Sequence, residues 1–140
     1  MSLSLWFQRK MNAYTTSKLR RKGKPQMMGM DMLILHTTGR RSGAARETPI
    51  SWFAAENGAR LLVASGGGKR NPDWYANLMA HPESAEIELP NGQKEAVTPV
   101  LLDGADREHA WQRITSEQPR YAKYASKSDR EYPLVKLVSR

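Results

Sequence analysis

One stretch of the sequence combines groups that bind an anion, because three arginines lie within seven residues of a glycine-containing turn. The arginines Arg40, Arg41 and Arg46 carry fixed charge and forked donors that suit phosphate or carboxylate. Gly39 and Gly43 permit backbone geometry in which amide groups converge on one concavity. A basic hairpin turn exposed to water has the same composition. Taken alone, these residues leave an anion site and a solvated turn equally open.

A glycine-rich segment follows Ser65 and ends in the cations Lys69 and Arg70. It lacks the spacing of a P-loop, and no G-x-G-x-x-G sequence opens a helix after a strand, so neither nucleotide fingerprint is present. The three histidines are scattered without the ligand spacing of a metal centre, and we expect no metal site. No paired carboxylates or Ser/His/Asp set indicates hydrolytic chemistry.

Composition limits the partners and the compartment. The chain has 140 residues, enough for one domain with its own core, and a net charge of +8 that favours anionic partners. It has no cysteine, which excludes disulfides, thiolate metal sites and a cysteine nucleophile and is compatible with a reducing, cytoplasmic location. No apolar run reaches the roughly 20 residues of a membrane span, and no clear signal peptide is present.

The N-terminal residues predict an amphipathic helix over 3–18, followed by a basic run over 18–24. We therefore divide the chain into an N-terminal helix and linker, residues 1–24, and a main domain, residues 25–140. The helix either packs on the domain or makes peripheral contact with an anionic membrane surface. The packed arrangement is favoured.

Hydrophobic patterning places the remaining elements. Alternation and apolar runs predict strands over residues 32–37, 46–55, 60–65, 85–89, 94–102 and 132–138. Helical signals cover residues 73–80, 103–118 and 120–126. Two Asn-Gly pairs, at 57–58 and 91–92, predict hairpin turns. Many antiparallel strands with single helices between them indicate an α+β domain with a small closed or split barrel.

Several side chains receive local assignments from these elements. We expect Asn71 and Asp103 to cap the helices that follow them. Glu86 and Glu88 alternate with apolar residues and predict a solvated strand face. Asp129 and Arg130 read as a surface loop.

Taken in order, the motifs resemble the deazaflavin-dependent nitroreductase family, from about Leu33 to the C-terminus. The matching segments are Thr38-Gly-Arg-Arg-Ser-Gly43, Arg46, Pro49, Leu62-Val-Ala-Ser-Gly-Gly67, Pro72-Asp-Trp-Tyr-Ala-Asn-Leu78 and His81-Pro82. The resemblance implies a split β-barrel (FMN-binding-like) of about six mainly antiparallel strands with flanking helices. It implies an oxidoreductase that transfers hydride from reduced coenzyme F-420 to a quinone, nitroaromatic or enone-type acceptor.

The same resemblance assigns roles to positions of this chain. The phosphate and acidic tail of the cofactor would contact Arg40, Arg41, Ser42 and Arg46, with Glu47, Thr48 and Pro49 continuing along it. The deazaflavin ring would lie against Val63, Ala64, Ser65 and Gly66, where Ser65 is the candidate catalytic hydrogen-bond donor. The site would be closed by Trp74, Tyr75 and Asn77, and the acceptor would contact Ser51, Tyr121 and Tyr124.

Some assignments remain open at this stage. Tyr121 and Tyr124 are equally compatible with core packing and with substrate contact, and a family lysine is replaced by Gly66, so that Lys69 or Arg70 is the substitute candidate. An FMN-using split-barrel oxidoreductase is the alternative function, and a non-catalytic basic nucleic-acid-binding module is a weaker one because no aromatic ladder accompanies the cations. Both a monomer and a homodimer are compatible with the pattern.

Overall fold

The computed structural model of the protein describes residues 26–27, 30–65, 70–128 and 130–140. The predicted N-terminal helix and basic run lie outside the described residues. The strands are β1 (Gln26–Met27), β2 (Met30–Thr38), β3 (Ala45–Ser51), β4 (Phe53–Ala54), β5 (Arg60–Val63), β6 (Glu86–Glu88), β7 (Lys94–Leu101) and β8 (Leu134–Ser139). The described helices are α1 (Asp73–Ala80), α2 (Gly104–Glu117) and α3 (Arg120–Ser126).

The strands form one antiparallel sheet that closes on itself. Its order is β3-β2-β6-β7-β8-β5-β4, with the short β1 pairing to the start of β2. Because Trp52 alone separates β3 from β4, these two strands form one bent strand that joins both ends of the sheet. The Trp52 N–H donates to the Asp31 carbonyl at 3.1 Å, which keeps the bend attached to β2. Six strands thus form a barrel, and the predicted fold class is confirmed.

The barrel is split on one side, between β3 and the end of β5. The ladder between β4 and β5 contains two residue pairs and then stops. Continued register would set Ser51 opposite Val63 and Pro49 opposite Ser65, but in the described part of the chain β3 pairs with β2 alone. Across this gap, the backbone N–H and C=O groups on the facing edges of β3 and β5 do not pair with each other.

Two hydrophobic clusters hold the barrel and its helices. Alternate residues of the barrel strands point inward, where Trp74 and Leu78 of α1 close one end. The second cluster lies outside β4, β5 and β8, where it receives Ala110 and Ile114 of α2 and Tyr121 of α3. The inner cluster includes Leu33, Leu35, Leu62, Ala64, Ile87, Val97, Val135 and Leu137.

Both predicted Asn-Gly turns are confirmed. Asn57 and Gly58 have φ values of 58° and 76°, the geometry that favours Asn-Gly in a tight hairpin. The second hairpin is closed by the Leu89 N–H, which donates to the Gln93 carbonyl at 2.9 Å, and Gly92 has a φ of 91°.

Local predictions for four side chains were wrong, and three of these side chains, those of Asn71, Glu88 and Arg130, make tertiary contacts instead. Neither Asn71 nor Asp103 caps its helix, since no side-chain cap bond is present at either N-terminus. Glu88 is buried instead of solvated, and its carboxylate binds His36 at 2.9 Å. Arg130 was predicted to lie in a surface loop, but it is half-buried and donates to the backbone carbonyl of the buried Ala64. None of the described helices is long and apolar enough to cross a membrane.

Candidate active site

The topology brings the two main predicted binding segments to one end of the barrel. Strands β2 and β5 are each antiparallel to the bent strand formed by β3 and β4, so they run parallel to each other. Their carboxyl ends therefore lie at the same end of the barrel. The arginine-containing turn follows β2 there, Ser65 follows β5, and α1 begins nearby. The split between β3 and β5 opens at this end.

The turn after β2 is built by its own backbone. The Gly39 N–H donates to the Ala44 carbonyl at 2.8 Å, and the Gly43 N–H donates to the Gly39 carbonyl at 2.9 Å. Ser42 Oγ accepts from the Ala44 N–H at 3.1 Å. Gly43 has a φ of 72°, a conformation that favours glycine. A Cβ at Gly39 would stand 2.8 Å from Ser42 Oγ, so glycine is also needed for close packing.

Arg40 fastens this turn to the start of α1. Its backbone N–H and its Nη1 both donate to Asn77 Oδ1, at 3.0 and 3.2 Å. Its Nη2 lies 3.5 Å from Asp73 Oδ1. Asn77 is buried, so its amide oxygen is fixed in position between helix and turn. The charge of Arg40 is therefore largely committed to holding the site together.

Arg41 and Arg46 are the arginines of the turn that remain available to a ligand. Arg41 is exposed and Arg46 is half-buried at the start of β3, where it pairs with Thr37. In the described part of the chain neither has an ion-pair partner. The Thr37 hydroxyl, on the residue that pairs with Arg46, is buried, and within the described residues it has no hydrogen-bond partner. An available guanidinium and an unsatisfied buried hydroxyl thus lie on paired residues at the start of β3, and Arg41 stands in the adjoining turn.

The remaining residues of β3 line one side of the split. Glu47 is exposed and lies 3.9 Å from His36 Nδ1. Thr48 and Pro49 are half-buried, and Pro49 offers no N–H to the open edge. The sequence predicts cofactor contacts for all three, and they follow Arg46 directly along the strand.

Val63, Ala64 and Ser65 line the other side. The Val63 side chain packs in the outer cluster and that of Ala64 in the barrel interior. The Ala64 N–H and carbonyl are bonded to the Pro133 carbonyl and to Arg130, so Ala64 has neither its side chain nor its backbone polar groups directed to the split. Ser65 is half-buried. Gly66 and Lys69 lie outside the described residues, and Arg70 is exposed.

Arg130 is the residue of this region that sequence reasoning missed. Its Nη1 donates to the Ala64 carbonyl at 3.1 Å and to Asn71 Oδ1 at 2.7 Å, and its Nη2 donates to the Ser65 carbonyl. It thereby joins the end of β5 to Asn71, two residues before α1. No local pattern indicates such bonds, because the partners stand about sixty positions earlier in the chain.

The predicted closing residues of α1 have different surroundings. Trp74 is buried in the inner cluster, and its ring meets Tyr75 edge to face at 6.4 Å between centroids. Tyr75 is half-buried against the same cluster. Asn77 serves the turn through Arg40, as described above. The buried Trp74 stabilises the barrel end, while Tyr75 retains surface that a ligand can reach.

The predicted acceptor residues lie together at the far end of the split. Ser51 Oγ and the Tyr121 hydroxyl are 3.2 Å apart. Tyr121 is buried, with its ring edge to face with Phe53 at 5.7 Å and with Tyr124 at 6.1 Å. Tyr124 is 49% exposed, an unusual surface position for a large aromatic side chain. The structure therefore brings Ser51, Tyr121 and Tyr124 into one hydroxyl-bearing aromatic group.

The donor set suits an anionic cofactor with a flat ring. Arg41, Arg46 and the unsatisfied Thr37 hydroxyl supply donors for phosphate or carboxylate at one end. The split supplies two backbone edges for the polar rim of a heterocycle, as cofactor sites commonly do. These observations fit coenzyme F-420.

A barrel split beside an arginine turn defines a split-barrel cofactor-binding domain. The chain belongs to the F420H(2)-dependent quinone reductase family, whose model matches residues 6–139. An F420H(2)-dependent quinone reductase of Mycobacterium tuberculosis is 36% identical over 113 residues, covering 77% of this chain and 73% of that protein. The family and the predicted enzyme class, an F-420-dependent reductase, are confirmed.

Solved structures agree with the fold. An F420-H2-dependent reductase named FDR-A matches with a TM-score of 0.65 at 33% identity, over 76% of this chain and 92% of that one. A protein described as a domain-swapped dimer matches with a TM-score of 0.65 at 29% identity, over 97% of this chain and 99% of that one.

Proposed function

We propose that this protein reduces a quinone with hydride from reduced F-420 bound along the split between β3 and β5. The observation that carries the proposal is the position of the free arginines, Arg41 and Arg46, at the open end of that split. The family assignment supports the cofactor, and the shape of the split supports its direction. The tail would lie at the arginines and the ring further along, toward Ser65.

The residues of the chain bind, orient and shield, while the bound F-420 supplies the hydride. Close stacking of donor and acceptor is the main requirement of hydride transfer, so an acid–base pair is not needed for that step. Arg41 and Arg46 neutralise the tail, and the end of β5 at Val63 and Ser65 orients the polar rim of the ring. The Ser65 hydroxyl would donate a hydrogen bond to the ring or to the acceptor.

The acceptor end consists of Ser51, Tyr121 and Tyr124. A quinone that takes up hydride also needs a hydrogen-bond donor or proton for its carbonyl oxygen. The bonded hydroxyls of Ser51 and Tyr121 can supply one such donor. When one hydroxyl donates to the other, the hydroxyl that accepts can donate its own hydrogen to the quinone oxygen. Tyr124 offers an exposed aromatic face to a flat acceptor.

A binding titration separates the candidate functions. The purified protein is titrated with F-420, FMN and single-stranded DNA at two salt concentrations. We expect F-420 to bind at both concentrations and DNA binding to disappear as salt rises, since contacts to a nucleic-acid backbone are strongly salt-dependent. Binding of FMN without binding of F-420 would overturn the proposal in favour of the flavin alternative.

The acceptor class is tested by turnover. Reduced F-420 is mixed anaerobically with a naphthoquinone, a nitroaromatic and an enone, and the return of oxidised F-420 absorbance is followed. We expect the quinone to be reduced fastest. Faster reduction of either other acceptor would reject the quinone assignment while retaining the F-420 chemistry.

The hydroxyl pair is tested by a double-mutant cycle. Tyr121→Phe and Ser51→Ala should each lower kcat with the quinone by about tenfold, the value of a hydrogen bond of roughly 1.4 kcal/mol. The double variant should resemble either single one, because both side chains serve one donor. Additive losses would show that the two hydroxyls act separately.

The homodimer is the oligomeric state that the structural relative supports, because that relative is described as a domain-swapped dimer. Light scattering of the purified protein distinguishes it from a monomer. Contact of residues 1–24 with an anionic membrane stays a proposal, which flotation of liposomes with and without that segment tests.

A further inference from the structure

We infer that Arg130 is a positioning residue for the reaction: it holds the backbone on which Ser65 stands and joins it to Asn71, two residues before α1. This inference rests on the proposed function, because it concerns the ring end of the proposed cofactor site. Arg130 follows α3 and precedes β8, so it reaches the site from a distant part of the chain.

The contacts of Arg130 are those of a clamp. One guanidinium bonds the carbonyls of two successive residues, Ala64 and Ser65, and the amide oxygen of Asn71. These partners lie on both sides of the connection between β5 and α1. An arginine can make such bonds together because its donors form a rigid planar fork, whereas a lysine presents one compact ammonium.

The guanidinium is itself held against a buried aromatic platform. Its central carbon lies 4.9 Å from the centroid of the Tyr132 ring, and Tyr132 is buried. The Tyr132 ring meets Trp111 of α2 edge to face at 6.3 Å. Arg107 Nη2 donates to the Tyr132 carbonyl at 2.7 Å. The segment after β5 is thus tied through Arg130 to the helical layer.

The position of the clamp explains what it does for the reaction. The Ala64 N–H donates at 2.9 Å to the carbonyl of Pro133, the residue before β8, and among the described residues no backbone bond between the two segments lies beyond it. Beyond it, in the described part of the chain, Arg130 replaces the missing ladder. Ser65 and the edge of the split would otherwise have rotational freedom, and misplacement of a reacting group by about 1 Å lowers rates up to about a hundredfold.

The test begins with the protein free of any ligand. Hydrogen exchange followed by mass spectrometry compares wild type with Arg130→Met in peptides covering residues 62–65 and 71–76. We expect exchange there to accelerate by about tenfold while peptides from β2 and β7 stay unchanged, because the loss is local. Unchanged exchange in 62–65 and 71–76 would overturn the inference. That result is expected if Arg130 contacts only the bound cofactor and does not hold the backbone of the ligand-free protein.

Kinetics supplies the second readout. With reduced F-420 and a quinone, Arg130→Met should lower kcat by about 10- to 100-fold and change the KM for F-420 less than about threefold, since the tail contacts remain. Arg130→Lys should recover part of kcat. A rise in KM with unchanged kcat would reject a positioning role. If wild type shows no F-420-dependent turnover, the proposed function fails, and the exchange result still decides whether the clamp exists.

Matched variants separate positioning from general stability. Arg140 also donates to three backbone carbonyls, those of Glu83, Ala85 and Val97, at 2.7 to 3.1 Å. Arg140→Met should lower the melting temperature without accelerating exchange in 62–65. Should Arg130→Met fail to fold, Asn71→Ala removes one exposed partner of the clamp, and it should accelerate exchange in 71–76 while Arg140→Met does not. Equal effects of Arg140→Met and the clamp variants would contradict the inference.

Discussion

The two segments at the open end of the barrel are held in place in opposite ways. The turn over residues 39–46 takes its shape from bonds between neighbours in sequence, Gly39, Ser42, Gly43 and Ala44, and Arg40 then joins it to Asn77 of α1. The segment over residues 63–65 is held from a distance, by Pro133 and Arg130. The proposed anion-binding end therefore owes its turn shape to its own sequence, while the proposed ring end is held by residues that follow α3.

This difference separates two functions that one site needs. A charged tail tolerates small displacements, because Coulombic attraction falls slowly with distance. A reacting ring does not, since hydride transfer depends on close contact between donor and acceptor. In the proposed complex, the end that needs close placement is the one whose backbone is bonded by residues distant in sequence.

The largest expected effect comes from breaking the link between the arginine turn and α1. Asn77→Ala removes the buried amide oxygen that accepts from the Arg40 N–H and Nη1, so two hydrogen bonds are lost, one of them to a charged group. We expect a loss of about 1–3 kcal/mol in the free energy of unfolding, measured with urea. Asn91→Ala is the control, because Asn91 Oδ1 accepts one backbone bond in an exposed turn and its removal should cost under about 0.5 kcal/mol. Equal losses would show that Arg40 does not couple turn and helix.

A smaller effect is expected inside the turn. Gly39→Ala places a Cβ 2.8 Å from Ser42 Oγ and should displace that hydroxyl from the Ala44 N–H. The expected cost is about 1 kcal/mol, the net value of one hydrogen bond. In a Ser42→Ala background the same substitution should cost less, because the obstructing oxygen is gone. Identical costs in both backgrounds would refute the local construction of the turn.

The smallest effect is expected near the start of β5, at the end of the strand opposite to residues 63–65. The pKa of Glu56 is lowered from 4.5 by a backbone hydrogen bond and by Lys136, whose ammonium lies 3.2 Å away. A lowered pKa in the folded state adds stability above the unfolded pKa, and this is lost as pH falls through the folded one. Urea unfolding between about pH 6 and about pH 3 should therefore be less pH-dependent in Glu56→Gln. The same pH-dependence in wild type and variant would show that the pKa of Glu56 is not lowered by folding.

Most of the fold was predictable because its signals are local. Alternation located the strands that form the inner cluster, and α3 begins and ends at the predicted residues. Closure of the barrel could not be predicted from the hydrophobic pattern. It depends on the bend at Trp52, which lets β3 pair with β2 and β4 pair with β5. The cap at Asn71 failed for the same reason, because Asn71 binds Arg130 instead of its helix.

The candidate site divides along the same line. Composition and glycine placement identified the arginine turn, but not that Arg40 is used structurally while Arg41 and Arg46 stay available. Family resemblance located residues 63–65 without indicating what holds them. Arg130 was missed because an isolated Asp-Arg pair carries no local signal, and its role depends on partners brought close by folding.

In the proposed complex, the arginine turn holds the cofactor tail while the split holds the ring. Titrating Arg46→Ala and wild type with F-420, and with the deazaflavin chromophore that lacks phosphate and tail, tests it most directly. We predict that Arg46→Ala weakens F-420 binding by about 10- to 150-fold, the equivalent of roughly 1.5–3 kcal/mol, and leaves binding of the tail-less chromophore unchanged. Equal weakening of both ligands, or of neither, would contradict the account.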